Sequence, residues 1–287
     1  MRLASVSGRA TVMRASGVGI DVATASGGRF GPSVAELYQQ WSGFRQWVDS
    51  GGTAGAEEFA VDESRLGLVA PQPEQVFAIG LNYLDHAAES GMEAERDVVP
   101  PTFTKFVSSL AGPFTPLPLP SGAVDWEIEL VAIIGEPADA VSVADAWSHV
   151  AGVCVGQDYS ERTVQSAGPV PQFSLGKSYA GFGPIGPWLV TPDELPDRDD
   201  LELVCEINGE QVQKGRTSAM VWSLPELVSV LSAICPLRPG DVIFTGTPAG
   251  VGAARNPKRF LSPGDVVVSR IEGVGEIRQE CRAAVPA

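Results

Sequence analysis

Residues 124 to 135, VDWEIELVAIIG, constrain this chain more than any other stretch of it. In an extended strand alternate side chains face opposite ways, so Glu127 and Glu129 share a face that continues into Val131 and Ile133. Trp126, Ile128, Leu130 and Ala132 take the other face. A strand apolar on both faces is buried on both, which requires an interior position in a sheet covered above and below. Two glutamates aimed inward there repel each other and carry a heavy desolvation penalty unless a positive charge compensates. One solution is a hard divalent cation, since Mg²⁺ takes a few carboxylates and keeps other positions for water or substrate oxygens. The other is a strand entrance at which both glutamates meet solvent or a lysine.

The rest of the chain supplies partners for such a strand. VFAIG, GVCVGQD, PWLVT, LELVCEING, DVIFTG and DVVVSRIEG read as further strands, bounded by Gly and Pro. LRPGDVIFTG and LSPGDVVVSRIEG look like two strands entered through the same Pro-Gly-Asp turn. Helices fit LDHAAESGM, SERTVQ and SLPELVSVLSAI; the last carries a capping box from Ser223 to Glu226. Near the N-terminus, VAELYQQWSGFRQWVDSG has Leu37, Trp41, Phe44 and Trp47 at helical spacing. The Pro-containing VAPQPEQ then separates a small N-terminal α/β domain, residues 1–70, from a larger domain, residues 71–287. Strands dominate and do not alternate regularly with helices. The expected class is therefore α+β, β-rich, with a mixed sheet and no doubly wound nucleotide-binding fold.

Composition excludes several functions. At 44% hydrophobic and 19% charged residues the chain is globular in character, and no apolar run approaches a membrane span. MRLASVSGRATVM has no long apolar stretch of the signal-peptide kind and reads as a first strand. A net charge of −15 argues against nucleic-acid partners, which require clustered Lys and Arg. Cys154, Cys205, Cys235 and Cys281 form no CxxC pair, so a reduced, cytoplasmic protein is expected. GFGPIG, from Gly181 to Gly186, matches a dinucleotide fingerprint but runs into the strand-like PWLV instead of a helix. LGKS, ending a would-be phosphate loop, has Pro171 where the leading glycine belongs.

Four polar positions remain. Asp158 closes the apolar strand GVCVGQD just before a short helix, as a functional carboxylate or as a helix cap. If LDHAAESG is helical, His86 and Glu89 share a face, the spacing of a general base and its orienting carboxylate. Equally, that spacing suits a solvated histidine with an incidental glutamate. His149, at a helix-to-strand junction, reads as structural.

FAIGLNYLDHAAE, FTKFVSSLAGP, DWEIELVAIIG, GQDYSERTVQ, FSLGKSY, EINGEQVQKGRTSAM and PGDVIFTGTPAGVG together resemble, in order and spacing, the fumarylacetoacetate hydrolase family over roughly residues 74–252. The resemblance implies a homodimer with a small N-terminal domain and a mixed-sheet, roll or barrel-like catalytic core. It implies that Glu127, Glu129 and Asp158 bind Mg²⁺ or Mn²⁺, and that His86 and Glu89 form a base dyad on a lid. Lys177 takes the place of the family's active-site lysine. Arg162, Gln165, Tyr83 and Thr247 correspond to substrate contacts. Gln157 stands where many members have Asn, and Gly181 where some have a Thr near the metal. The activity implied is metal-dependent hydrolysis of a C–C bond in a small 1,3-dicarbonyl or acylpyruvate-type 2-oxo acid. Decarboxylation of an oxaloacetate-type acid is the alternative, with keto–enol isomerisation, hydration or dehydration beside it. A non-catalytic binding protein on the same fold would have lost a ligand or the lid histidine, and neither is missing.

Overall fold

In the computed structural model, which describes residues 1–15, 17–92, 96 and 99–284, the strand Ile128–Ile134 is buried along its whole length. Val150–Gln157 pairs with it antiparallel on one side and Val242–Phe244 on the other. Val76–Ile79 continues the sheet parallel to Val242–Phe244, and Thr102–Thr104 ends it. In the other direction Gly183–Val190 follows Val150–Gln157, and then come the N-terminal strands Arg2–Val6, Arg9–Ala15, Val18–Asp21 and Phe59–Ala60. Leu110–Ala111 pairs with Gly183–Val190 off this path, completing an 11-stranded sheet. The path is open between Phe59–Ala60 and Thr102–Thr104, so the expected roll does not close into a barrel. A second sheet of five strands runs Glu210–Arg216, Glu202–Ile207, Val266–Ile271, Gly275–Ala283, Leu117–Leu119. The architecture is strand-rich α+β.

Two separate apolar cores explain why Ile128–Ile134 needs no polar face. Trp126, Ile128, Leu130 and Ala132 pack against Leu203, Cys205, Val267 and Ile277 of the second sheet. Val131 and Ile133 belong to the opposite core, with Leu37, Tyr38 and Phe44 of the N-terminal helices. The alternation in the sequence thus assigns each residue to the correct side. Glu127 and Glu129 lie on the side of Val131, where Gly156 stands opposite Glu129. A Cβ at Gly156 would come within 2.4 Å of Val131 Cγ2, so that face requires a glycine.

The two Pro-Gly-Asp turns share one construction. Gly240 and Gly264 take φ of 94° and 95°, and each following aspartate accepts from the amide three residues back, Arg238 N to Asp241 and Ser262 N to Asp265, both at 2.8 Å. The helices Leu84–Glu89, Arg162–Gln165 and Leu224–Ser232 fall where expected. The single N-terminal helix does not: it is two, Val34–Tyr38 and Trp41–Asp49, broken at Gln40 with φ of −134°. Periodicity survives the break because Leu37, Trp41 and Phe44 are all buried; Tyr38, on the first piece, is tied to Val69 O through its hydroxyl. Among the described residues no helix is long and apolar enough to cross a membrane.

A candidate metal centre and its cavity

Glu127, at the entrance of the central strand, Glu129 within it and Asp158, just past the end of Val150–Gln157, converge. One oxygen from each lies within 4.8 Å of the others, and all three residues are buried. The convergence is fixed by backbone: Asp158 N donates to Glu127 O at 2.9 Å. Two buried glutamines complete it. Gln157 Oε1 accepts from Glu127 N at 2.8 Å, and Gln213 Oε1 accepts from Ile128 N at 3.0 Å. Consecutive amides of the glutamate-bearing segment are thereby held by side chains from two different sheets.

Three cations face the cluster. Lys177, which caps the short helix Phe173–Gly176, donates to Glu127 Oε2 and Asp158 Oδ2, both at 2.7 Å. Arg162 Nη2 donates to Glu127 Oε1 at 2.7 Å, while its Nε is held by Asp125 Oδ2 at 2.9 Å. Lys105, fully buried, donates to Asp158 Oδ1 at 2.7 Å. Among the described residues no ion pair reaches Glu129, whose Oε2 accepts from Gly246 N at 2.7 Å. Gly246 can turn its amide that way at φ of 96°, and a Cβ there would sit 2.7 Å from Asn82 Cβ.

The charges sort accordingly. Burial alone would push Glu127 up, but Lys177 and Arg162 outweigh it and hold the carboxyl at about 2. Glu129 goes the other way: burial, then the charges of Asp158 and Glu127, push it well above the ordinary carboxylate range. Burial would lower Lys177, yet Asp158 and Glu127 leave it above the usual lysine value. For Lys105 burial wins over Asp158 and the shift is downward. A set of three hard oxygen donors, one of them ionising only against strong opposition, fits a divalent cation, which would relieve the burden on Glu129.

Beside the cluster lies a cavity of about 440 Å³, lined at one end by Glu127, Lys177, Arg162, Gln165 and His86. His86 Nδ1 meets Glu89 Oε1 at 2.8 Å, and Glu89 Oε2 accepts from Gly250 N at 2.9 Å. Gly250 also requires glycine, since it takes φ of 113° and a Cβ would lie 2.2 Å from Val212 O. The structure therefore brings together His86, Glu89, Lys177, Arg162, Gln165 and Glu127 in one cavity. Thr247 also lines it, but its hydroxyl already donates to Ile128 O and accepts from Gln213, both at 2.8 Å. Tyr83 is buried, not among the lining residues, with a hydroxyl that has no hydrogen-bond partner. Burial and the charges of Glu129 and Asp85 raise it. Phe103, Phe173, Val251, Phe260 and Lys258 also line the cavity, and the Phe103 ring centroid lies 5.2 Å from Lys177 Nζ. The segment 90–100 lies partly outside the described residues.

The fumarylacetoacetate (FAA) hydrolase C-terminal family model matches residues 75–282. The chain belongs to the fumarylacetoacetate hydrolase family. A Burkholderia multivorans protein named as a hydrolase is 44% identical over 227 residues, covering 77% of this chain and 79% of that protein. A crystal structure described as an HpcE protein from Mycobacterium smegmatis is 52% identical, with a TM-score of 0.92, over 99% of this chain and 100% of that one. Maleylpyruvate hydrolase from Sphingobium sp. SYK-6, solved with manganese(II) and pyruvate, is 27% identical with a TM-score of 0.81, over 99% and 100%.

Within the family site, several supporting residues carry no clear mark in the sequence. Asp125 accepts from Gly252 N, Ala253 N and Arg162, tying the TPAGVG loop to the cluster. Asn82 holds the segment before His86 through Thr245 O and both backbone groups of Trp222. The signal for Gln157 and Gln213 is a glutamine inside an otherwise apolar strand pattern. Of the two decoys, GFGPIG runs into the strand Gly183–Val190, as expected. The lysine of LGKS reaches the carboxylate cluster and has no phosphate-loop geometry around it. His149, expected as structural, holds Pro137 O through Nδ1 at 2.8 Å.

Proposed function

We propose that the chain, working as a cytoplasmic homodimer, is a divalent-metal-dependent hydrolase, with Mg²⁺ or Mn²⁺, of acylpyruvate-type 2-oxo acids. The observation that carries this reading is that the His86–Glu89 pair and Glu127, the outermost carboxylate of the cluster, line one cavity. A base that can activate water thus faces a site suited to a 2-oxo acid. The Sphingobium enzyme's manganese and pyruvate support the same reading for this chain. The balanced reaction takes R–CO–CH₂–CO–COO⁻ and water to R–COO⁻, pyruvate and a proton.

Glu127, Glu129 and Asp158 would hold the ion. When bound, it supplies Lewis-acid polarisation of the 2-oxo group and a fixed orientation for the substrate. Glu89 takes the Nδ1–H of His86, which leaves Nε2 bare to accept a proton from water as that water attacks the distal carbonyl. Glu89 is itself held by Gly250, so the ring cannot swing freely. Lys177 and Arg162, both charged and both fixed by carboxylates, offset negative charge that develops on the reacting oxygens. Phe103, Phe173 and Phe260 line the same cavity and would give the R group an apolar surface to pack against.

The test is a turnover assay on chelated protein, with acylpyruvates and oxaloacetate side by side, with and without Mg²⁺ or Mn²⁺. Ion-dependent release of pyruvate and the matching acid is expected. Ion-dependent loss of CO₂ from oxaloacetate alone would replace the hydrolase with a decarboxylase. Turnover of neither, with ion bound, would remove both.

A further inference from the structure

Among the described residues Lys105 is the most deeply buried cation, and it has no part in the chemistry above. Its Nζ donates to Asp158 Oδ1 at 2.7 Å and to the backbone carbonyl of Lys177. Its stem runs past Gly183, where a Cβ would lie 3.1 Å from Lys105 Cε, and the Phe244 ring lies 5.7 Å from Nζ, so the glycine keeps this course open for the lysine. The backbone on either side is stitched to the Lys177 segment. Thr104 N donates to Ser174 Oγ at 3.4 Å and Phe106 N to Ser178 Oγ at 3.0 Å. Each Asp158 oxygen consequently has its own lysine, Oδ1 with Lys105 and Oδ2 with Lys177.

The two lysines are not equivalent. Lys177 lines the cavity and could yield its contact with Oδ2 to an incoming ion, whereas Lys105 is enclosed and cannot leave Oδ1. Mg²⁺ demands compact octahedral geometry and binds carboxylates sparingly. Ca²⁺ accepts six to eight oxygens and readily takes both oxygens of one carboxylate. A carboxylate with one oxygen permanently occupied discriminates against the second kind of ion.

We propose that Lys105 is a positioning residue that confines Asp158 to ligation through Oδ2 alone, and so biases the site toward small octahedral cations over Ca²⁺. This rests on the metal dependence proposed above, though not on the reaction catalysed.

The wild-type protein gives the first test, a crystal structure with Mn²⁺ bound. Asp158 coordinating through one oxygen, with Oδ1 still on Lys105 Nζ, is the expected result. Two Asp158 oxygens on the ion would overturn the proposal. A second test titrates Mg²⁺ and Ca²⁺ into metal-free wild type, Lys105→Met and Lys105→Arg by calorimetry, with thermal unfolding to establish that each variant is folded. Lys105→Met should shift preference toward Ca²⁺ about tenfold, the scale of one contact with a charged group. Lys105→Arg should stay near wild type. An unchanged preference in folded Lys105→Met overturns the proposal, and should that variant not fold, the wild-type crystal structure decides. Absence of any ion at the three carboxylates would sink this proposal and the metal dependence together. Loss of acylpyruvate turnover with one-oxygen ligation intact would sink the hydrolase reading alone.

Discussion

Glu127→Gln is expected to remove divalent-ion binding and to lower turnover by about 10³, the scale of losing a preorganised charge at a reacting centre. It is the one carboxylate of the cluster that touches both Lys177 and Arg162 and also lines the cavity. Removing its charge strips a buried pair of one partner, a change that typically costs about 3–5 kcal/mol. Here the lower end is expected, because Glu129 then loses a repelling neighbour and can ionise more easily. The sign with pH follows from the direction of the Glu127 shift. Its folded value of about 2 lies below the ordinary carboxylate value, so its stabilising contribution is full above the ordinary range. That contribution disappears as pH falls through about 2. Denaturant unfolding of the metal-free proteins should therefore show the largest gap between wild type and variant at neutral pH, and a closing gap in acid. A variant with intact ion affinity and turnover would contradict this account of the cluster.

His86→Ala should lower the rate of the chemical step by 10²- to 10⁴-fold, the usual range for a general base, while leaving ion affinity near wild type. The split follows from the geometry: His86 lines the cavity but makes no contact with the three carboxylates within hydrogen-bond distance. Glu89→Gln keeps the shape of the dyad but lets the new amide donate to Nδ1, which favours the wrong tautomer, so it should lower turnover with little change in ion binding. Stopped-flow turnover paired with Mn²⁺ titration separates the two effects. Equal losses of ion affinity and turnover in His86→Ala would instead mark the histidine as part of the metal site.

Much of this was legible in the chain. The alternation in VDWEIELVAIIG predicts which residues enter which core, because a two-faced apolar strand leaves no freedom of register. The Pro-Gly-Asp turns are legible for a similar reason, as proline, positive-φ glycine and a back-bonding aspartate each have a local job. What periodicity could not disclose is contact between distant segments. Lys105 sits in an unremarkable FTKF, and its partners lie 53 and 72 positions away. Gln40 interrupts an apparently continuous helix with no proline or glycine to announce it. Thr247 lines the cavity, and nothing in its motif announces that its hydroxyl also bridges Ile128 and Gln213.

The most direct test of the central claim is to titrate Mn²⁺ into chelated wild-type protein while following bound ion and acylpyruvate cleavage on the same sample. Activity should rise in proportion to occupancy and saturate at a single ion per chain. Cleavage that proceeds at full rate before any ion is bound, or an ion that binds fully without restoring cleavage, would contradict a divalent-metal-dependent hydrolase.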